Sequence, residues 1–186
     1  MGFTPLDSTD ASALRWLRQG ESPLAFDLSA ADQLLVTLRW KGRSGTLATA
    51  ESAAGTWTLK RVGFLNPQVT VRNEGSSATI ARLSVHWNYH RIDITGGPSF
   101  LFHRAGVLLP AWKVTDSSGR ELLHVEPVRE GRKLVGGAVL GPTATPHPGG
   151  LLEAIVVSWY FIVQAWFEDE ALVPLEGPDA APTPPK

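Results

Sequence analysis

The sequence contains one long apolar stretch, which reads Leu151-Leu152-Glu153-Ala154-Ile155-Val156-Val157-Ser158-Trp159-Tyr160-Phe161-Ile162-Val163-Gln164-Ala165-Trp166-Phe167. Its polar members, Glu153, Ser158 and Gln164, do not line one face of a helix. A helix built from this stretch is therefore apolar on every side, which is typical of a helix enclosed by protein or by lipid. It would be about 26 Å long, and each large apolar side chain left in water would cost roughly 1.5–3 kcal/mol.

Two environments are open to this helix. A membrane span requires about 20 apolar residues and usually has flanking cations. Here the run is shorter, the nearest upstream cation is Lys133, and the acidic segment Glu168-Asp169-Glu170 follows it. The sequence therefore favours a central helix over residues 151–170 that is covered by a sheet, with no transmembrane span. A tail-anchored membrane protein that uses residues 151–167 is the alternative.

The sheet is predicted by a period-two pattern that begins near residue 23 and continues to residue 140. Its clearest runs are 34–40, 47–51, 56–62, 69–72, 79–85, 91–94, 99–103, 111–115, 121–125 and 134–140. Turn residues such as Ala54-Gly55 and Asn66-Pro67 separate the runs. Short strands without intervening helices indicate a mainly β fold, a closed antiparallel barrel or a sandwich. Because side chains alone do not fill a wide barrel, the 151–170 helix is expected to occupy its lumen.

The flanks of this domain are predicted to lie outside it. Residues 1–22 are expected to form a peripheral segment with a short helix that starts at Ser8 or Thr9, runs through Trp16 and ends at Gly20. Residues 172–186 are rich in Pro and Ala and predict a disordered tail. The N-terminus has neither a cationic start nor an apolar core of a signal peptide, which predicts a cytoplasmic protein.

One motif occurs twice in the predicted sheet. Arg61-Val62-Gly63-Phe64-Leu65-Asn66-Pro67 matches Arg104-Ala105-Gly106-Val107-Leu108-Leu109-Pro110 as Arg-x-Gly-φ-Leu-x-Pro. Glycine permits a bend and proline stops strand pairing, so each copy predicts a strand, a corner and a second strand.

Several short motifs resemble the tubby-like barrel superfamily, which includes the tubby C-terminal domain, phospholipid scramblases and plant LURP-one-related proteins. They are Thr49-Ala50-Glu51-Ser52, the run 55–61, the corner 63–67, the paired segments 111–116 and 119–123, and Ser158-Trp159-Tyr160. The resemblance covers residues 24–171. It implies a twelve-stranded barrel around a hydrophobic C-terminal helix, no enzymatic activity, and binding of phospholipids or phosphoinositides. The chain departs from scramblases in having no cysteine and no acidic calcium-binding segment.

Composition limits the partners. The chain has 17 basic and 18 acidic residues, so its overall charge does not attract nucleic acid. With no cysteine it has no disulfide, thiolate metal site or thiol nucleophile. We expect no cofactor and no metal, and a partner that is either a phospholipid headgroup at a membrane surface or another protein.

The candidate binding cluster is Arg39-Trp40-Lys41-Gly42-Arg43, in which three cations surround one tryptophan at a predicted hairpin tip. Such a cluster suits lipid headgroups. The alternative is a solvated turn with Trp40 packed back against the barrel.

Arg61 and Arg104 are predicted to point inward, because each shares the face of the preceding apolar residues in its strand. An inward cation requires an acceptor, and Glu153, Gln164 or the acidic segment 168–170 are the expected partners. Guanidinium groups that reach water at the rim, and an anion site, are the alternatives.

No catalytic residue is predicted. His86 and His90 have the spacing of a helical zinc pair, but in a strand they would be too far apart to share a metal, and they are interpreted as surface histidines. Gly42-Arg43-Ser44-Gly45 is too short for a nucleophile elbow and indicates a turn. The alternative is an enzyme whose site the sequence does not reveal.

Overall fold

The structure, a computed structural model, describes residues 2–19, 24–42, 45–63, 66–105, 111–131, 133–141 and 147–172, with side chains given up to residue 167. These residues form twelve strands and one long helix. The strands are β1 (Leu14–Gln19), β2 (Ala25–Ala30), β3 (Gln33–Trp40), β4 (Leu47–Ser52), β5 (Gly55–Val62), β6 (Gln68–Asn73), β7 (Thr79–Val85), β8 (His90–Ile94), β9 (Ser99–Ala105), β10 (Ala111–Thr115), β11 (Glu121–Glu130) and β12 (Lys133–Leu140). A single 3-10 turn (Leu6–Ser8) precedes them, and the helix α1 (Leu151–Leu172) follows.

The strands form a closed antiparallel barrel in which each strand pairs with its neighbours in sequence. Pairing of β1 with β12, which places Leu14 opposite Val139, closes the ring. All odd-numbered strands therefore run in one direction and all even-numbered strands in the other. The closed antiparallel barrel predicted from the period-two pattern is confirmed.

Helix α1 fills the barrel. Trp159 stacks on Trp16 of β1 with ring centroids 5.5 Å apart, and Tyr160 stacks on Trp40 of β3 at 5.6 Å. Phe161 packs against Trp112 of β10 at 5.8 Å. Because these contacts reach different parts of the ring, the sheet surrounds the helix. In the described part of the chain, no helix combines the length and the apolar character that a bilayer crossing requires.

The period-two pattern determines which side chains meet the helix. In β5, Trp57 and Leu59 are buried, whereas the next residue, Lys60, points outward and is exposed. In β9, Phe100 and Phe102 are buried in the same way. Burial of each such side chain contributes roughly 1.5–3 kcal/mol to the stability of the fold. This gain opposes the backbone entropy that is lost when the ring of strands closes.

The prediction for residues 1–22 is wrong. The expected N-terminal helix is the strand β1, whose residues Leu14 and Trp16 point inward while Arg15 and Leu17 face outward. Strand β2 was also absent from the predicted runs. The two strands complete the ring, and Trp16 supplies part of the core that holds α1, so this segment belongs to the barrel itself.

The duplicated motif occupies equivalent hairpins. Arg61 lies opposite Val69 in the β5–β6 pair, and Arg104 lies opposite Trp112 in the β9–β10 pair. Gly63 of the first copy adopts a left-handed backbone with φ of 85°. The corner of the second copy, 106–110, lies outside the described residues. The two copies therefore share strand pairing and register.

Candidate anion-binding end of the barrel

Helix α1 gives the barrel two different ends. It begins at the end where the even-numbered strands finish, and its last turns lie at the end where the odd-numbered strands finish. The second of these is called the exit end here. Gln164, near the end of α1, donates a hydrogen bond to the Gly45 carbonyl in the β3–β4 connection, which places this connection at the exit end.

Basic side chains of the described residues concentrate at the exit end. Those near its rim are Arg18, Arg39, Lys41, Lys60, Arg61, Arg104, Arg129 and Lys133. The acidic residues at this end are Glu130 and, in the last turns of α1, Glu168-Asp169-Glu170, with Asp27 farther along β2. The net charge of the described exit rim is therefore positive.

The opposite end has the reverse charge. Its acidic residues are Asp7, Asp10, Asp32, Glu74, Asp93, Asp116, Glu121 and Glu153, whereas Glu51 lies between the two ends and reaches Arg39. Its basic residues are Arg15, Arg72 and Arg120. The overall net charge is -1, but the charges are separated along the barrel axis. The exit end therefore has a local positive electrostatic potential that the net charge does not indicate.

The predicted cluster 39–43 is only partly at the surface. Arg39 is exposed, and its guanidinium group lies 3.9 Å from the Glu51 carboxylate. Lys41 is exposed as well. Trp40 is 3% exposed, and its ring packs edge-on against Phe26 and face-on against Tyr160. Trp40, the last inward residue of β3, is therefore packed back against the barrel, as the alternative interpretation of this cluster predicts, and the lipid contact predicted for it is wrong. Arg43 lies outside the described residues.

Arg61 and Arg104 do share the inward face of their strands, but they differ in surroundings. Arg61 is partly buried, and its backbone N–H donates to the Tyr160 hydroxyl at 3.2 Å. Arg104 is exposed, which agrees with a guanidinium group that reaches water at the rim. Pairing of either cation with Glu153 is excluded, because Glu153 belongs to the first turn of α1 at the opposite end. The acidic side chains 168–170 lie outside the described residues.

Tyr160 connects the helix to the exit rim. Its hydroxyl donates to the Thr46 carbonyl and accepts the hydrogen bond from the Arg61 backbone. Burial raises the pKa of Tyr160 to about 12, although the hydrogen bond and charge of Arg61 act in the opposite direction. The phenol is therefore a neutral structural group at physiological pH, with no tendency to act as a base.

His90 belongs to the aromatic core near the exit end. Its ring lies 4.5 Å from that of Phe161 and also contacts Phe102 and Trp112. Burial, aided by the nearby His86, lowers the pKa of His90 to about 4. The interpretation of His90 as a surface histidine is wrong, because the first residue of β8 points inward. His86 lies in the turn before β8 and stacks on Tyr89.

Sequence reasoning missed Trp87. This residue lies in the β7–β8 turn at the exit end and is 98% exposed, while its neighbour Tyr89 is 42% exposed. The turn has neither Gly nor Pro at its tip, so the residues that usually indicate a hairpin turn are missing from its sequence. Among the described residues, Trp87 is the most exposed of the large apolar side chains.

Other polar groups form local structural contacts. His147, which is buried, hydrogen-bonds through Nε2 to the Thr9 carbonyl at 3.0 Å. His124 lies on the outer wall between the carboxylates of Glu121 and Glu126, at 3.3 and 3.2 Å. Within the described ranges, no group of three or more His, Asp or Glu side chains is arranged to hold a metal ion.

Comparison of the chain with models of protein families, with curated proteins and with solved structures found no match. The features of the chain that bear on its function are therefore the charge and the exposed aromatic side chains of the exit end.

Proposed function

We propose that the chain is a non-enzymatic, tubby-like binding module that attaches peripherally to anionic phospholipid surfaces through its exit end. The observation that supports this proposal best is the separation of charge along the barrel axis, with basic residues from many strands at one rim. Cations near an anionic membrane each contribute about 1 kcal/mol to binding. A rim that presents several of them in one plane suits a flat charged surface.

The internal helix is consistent with a binding role at the rim. Since α1 occupies the lumen with buried side chains such as Val156, Trp159 and Val163, the interior is a packed core. Ligand contacts would then come from rim residues and hairpin tips. Among these, Lys41, Lys60 and Arg104 are exposed, and phosphate oxygens are suitable acceptors for their ammonium and guanidinium groups.

Charge reversal at the two ends tests this proposal. The double variant Lys41→Glu/Arg104→Glu is expected to lower affinity for phosphatidylserine-containing vesicles by at least about tenfold in a flotation assay, since each reversal removes one attractive contact and adds repulsion. The matched control is Arg15→Glu/Arg72→Glu, which makes the same charge change on exposed residues of the opposite end.

The two variants give clear outcomes. Binding that is lost only in the exit-end variant, and that weakens as salt is raised, supports the proposal. Equal loss in both variants would indicate a response to net charge, and absence of wild-type binding to anionic vesicles would refute it.

The acidic segment Glu168-Asp169-Glu170 provides a second test. It lies in the last turns of α1, at the same end as the basic rim. If that rim contacts anionic lipid, the three negative charges repel the membrane. Replacing the three residues with glutamine removes this repulsion and is expected to strengthen vesicle binding. Weaker binding by this variant would contradict the proposed orientation.

A further inference from the structure

The β7–β8 turn presents a tryptophan that the fold does not use. Of the seven tryptophans in the chain, Trp16, Trp40, Trp57 and Trp159 are buried, and Trp112 and Trp166 are partly buried. Trp87 is 98% exposed. A tryptophan fully in water leaves a large apolar surface unburied, which is available for a contact outside the domain.

The turn holds Trp87 in a defined position. Strand β7 ends at Val85, whose backbone N–H donates to the Pro67 carbonyl. The His86 N–H donates to the Tyr89 carbonyl at 3.0 Å, which closes the turn. The Tyr89 ring stacks on the His86 ring at 4.8 Å. These contacts order the residues on both sides of Trp87 and leave its indole directed away from the barrel.

Charge around the turn indicates which partner it fits. In the ring, β7 and β8 lie between β6 and β9, so the turn is flanked by the ends of the duplicated hairpins with Arg61 and Arg104. Val62, which is 40% exposed, is at the same end. Tryptophan prefers the zone between headgroups and acyl chains, where its ring is apolar and its N–H can still donate. A single projecting indole within a basic rim is therefore complementary to an anionic bilayer.

We propose that Trp87 inserts into the interfacial zone of an anionic membrane, so that the exit end faces the bilayer and the barrel axis stands roughly along its normal. This inference rests on the proposed function. It adds an apolar anchor to the electrostatic contact and assigns the orientation of the domain. Tyr89 lies at the headgroup level beside the anchor, and Lys41 and Arg104 contact lipid phosphates around it.

Fluorescence of Trp87 tests the insertion directly. Vesicles of phosphatidylserine and brominated phosphatidylcholine, with bromine atoms near the interface, are expected to quench part of the wild-type emission. The variant Trp87→Phe removes this reporter but keeps an aromatic anchor, so it is expected to bind the same vesicles with little quenching. Trp87→Ala is expected to bind about tenfold more weakly than the wild-type protein.

The control is Leu140→Ala, which truncates another exposed apolar residue, 48% exposed, at the end of β12 and hence at the opposite end. It is expected to bind vesicles like the wild-type protein. Because Trp87 makes no core contact, Trp87→Ala is also expected to keep the wild-type midpoint of urea unfolding. A changed midpoint would assign Trp87 a role in the fold and overturn the inference.

Two further results separate the inference from the proposed function. Unchanged binding by Trp87→Ala and no quenching by brominated lipid, together with binding that still needs Lys41 and Arg104, would overturn insertion and leave electrostatic attachment in place. Self-association that disappears in Trp87→Ala, without any vesicle binding, would assign the tip to a protein contact and overturn both.

Discussion

A Cβ atom on Gly137 would lie 2.5 Å from Cζ3 of the Trp159 indole. Gly137 is in β12, and Trp159 is at the centre of α1, where it also stacks on Trp16 and meets Phe26 edge-on. The missing side chain thus gives the largest ring of the helix room to approach the sheet. The position of α1 in the lumen depends on this contact.

Gly137→Ala is expected to destabilise the protein by about 1–3 kcal/mol, because the added methyl group forces the indole or the strand to move in a close-packed core. Urea unfolding measures the effect. Gly149→Ala is the control, since a Cβ atom there has no neighbour within 4 Å. Equal stability of the two variants would show that the core accommodates the methyl group.

Gly63→Ala is expected to lower the free energy of unfolding by more than about 1–2 kcal/mol, the usual cost of a left-handed backbone for a non-glycine residue. Gly63 has φ of 85°, and a Cβ atom would also lie 2.6 Å from the Asn66 carbonyl oxygen. Gly119→Ala is the matched control, since Gly119 has φ of 83° and open space around it. A smaller loss at Gly63 than at Gly119 would contradict the close contact at this corner.

Tyr160→Phe is expected to destabilise the protein by about 0.5–1.5 kcal/mol, since the Thr46 carbonyl and the Arg61 N–H each lose the hydroxyl and keep only their mutual hydrogen bond of 3.3 Å. Thermal or urea unfolding measures this loss. Tyr89→Phe is the control, because Tyr89 is 42% exposed. The raised pKa of Tyr160, about 12, adds a pH effect: its contribution is complete below about pH 10 and decreases as pH rises towards 12. A Tyr160→Phe difference that grows at alkaline pH would contradict this assignment.

Acid is expected to destabilise the protein through His90. Its pKa is about 4 in the fold and about 6.5 when unfolded. Above pH 6.5 both states are neutral, whereas between pH 6.5 and 4 only the unfolded state gains a proton, so stability decreases as pH falls. After allowance for solvent screening of a partly buried ring, the loss is about 1–2 kcal/mol.

His90→Phe removes this titration. Its free energy of unfolding, measured by urea at pH 7 and pH 4.5, is expected to fall less on acidification than that of the wild-type protein. His103→Phe, at an outward-facing position of β9, is the control. An identical pH dependence in wild type and His90→Phe would assign the acid sensitivity to other groups.

Two sequence patterns predict the barrel and its enclosed helix, but they do not predict the position of every strand and side chain in it. The apolar run around Trp159 predicts an enclosed helix because no face of it is polar, and the alternation around Trp57 and Leu59 predicts the strands that enclose it. In β1 the apolar residues at 14, 16 and 17 fit a helix as well as a strand. Only pairing with β12, distant in sequence, distinguishes the two.

The candidate site was partly accessible from the sequence. Strict alternation of antiparallel strands assigns Lys41, Arg61 and Arg104 to one end, once β1 and β2 are recognised and each strand's direction is known. The burial of Trp40 depends on contact with Tyr160 more than a hundred positions later, and local pattern does not report it. The exposure of Trp87 likewise depends on how β7 and β8 end.

Closure by the first and last strands has a consequence for how the chain folds during synthesis. Leu14 cannot meet Val139 until β12 has been made, and the ring has no core until the segment 151–172 follows it. Ring closure between such distant residues is slow, and unpaired edges of β1 and β12 remain exposed in the nascent chain. We therefore expect the ribosome-bound chain to require chaperone protection until α1 has emerged from the exit tunnel.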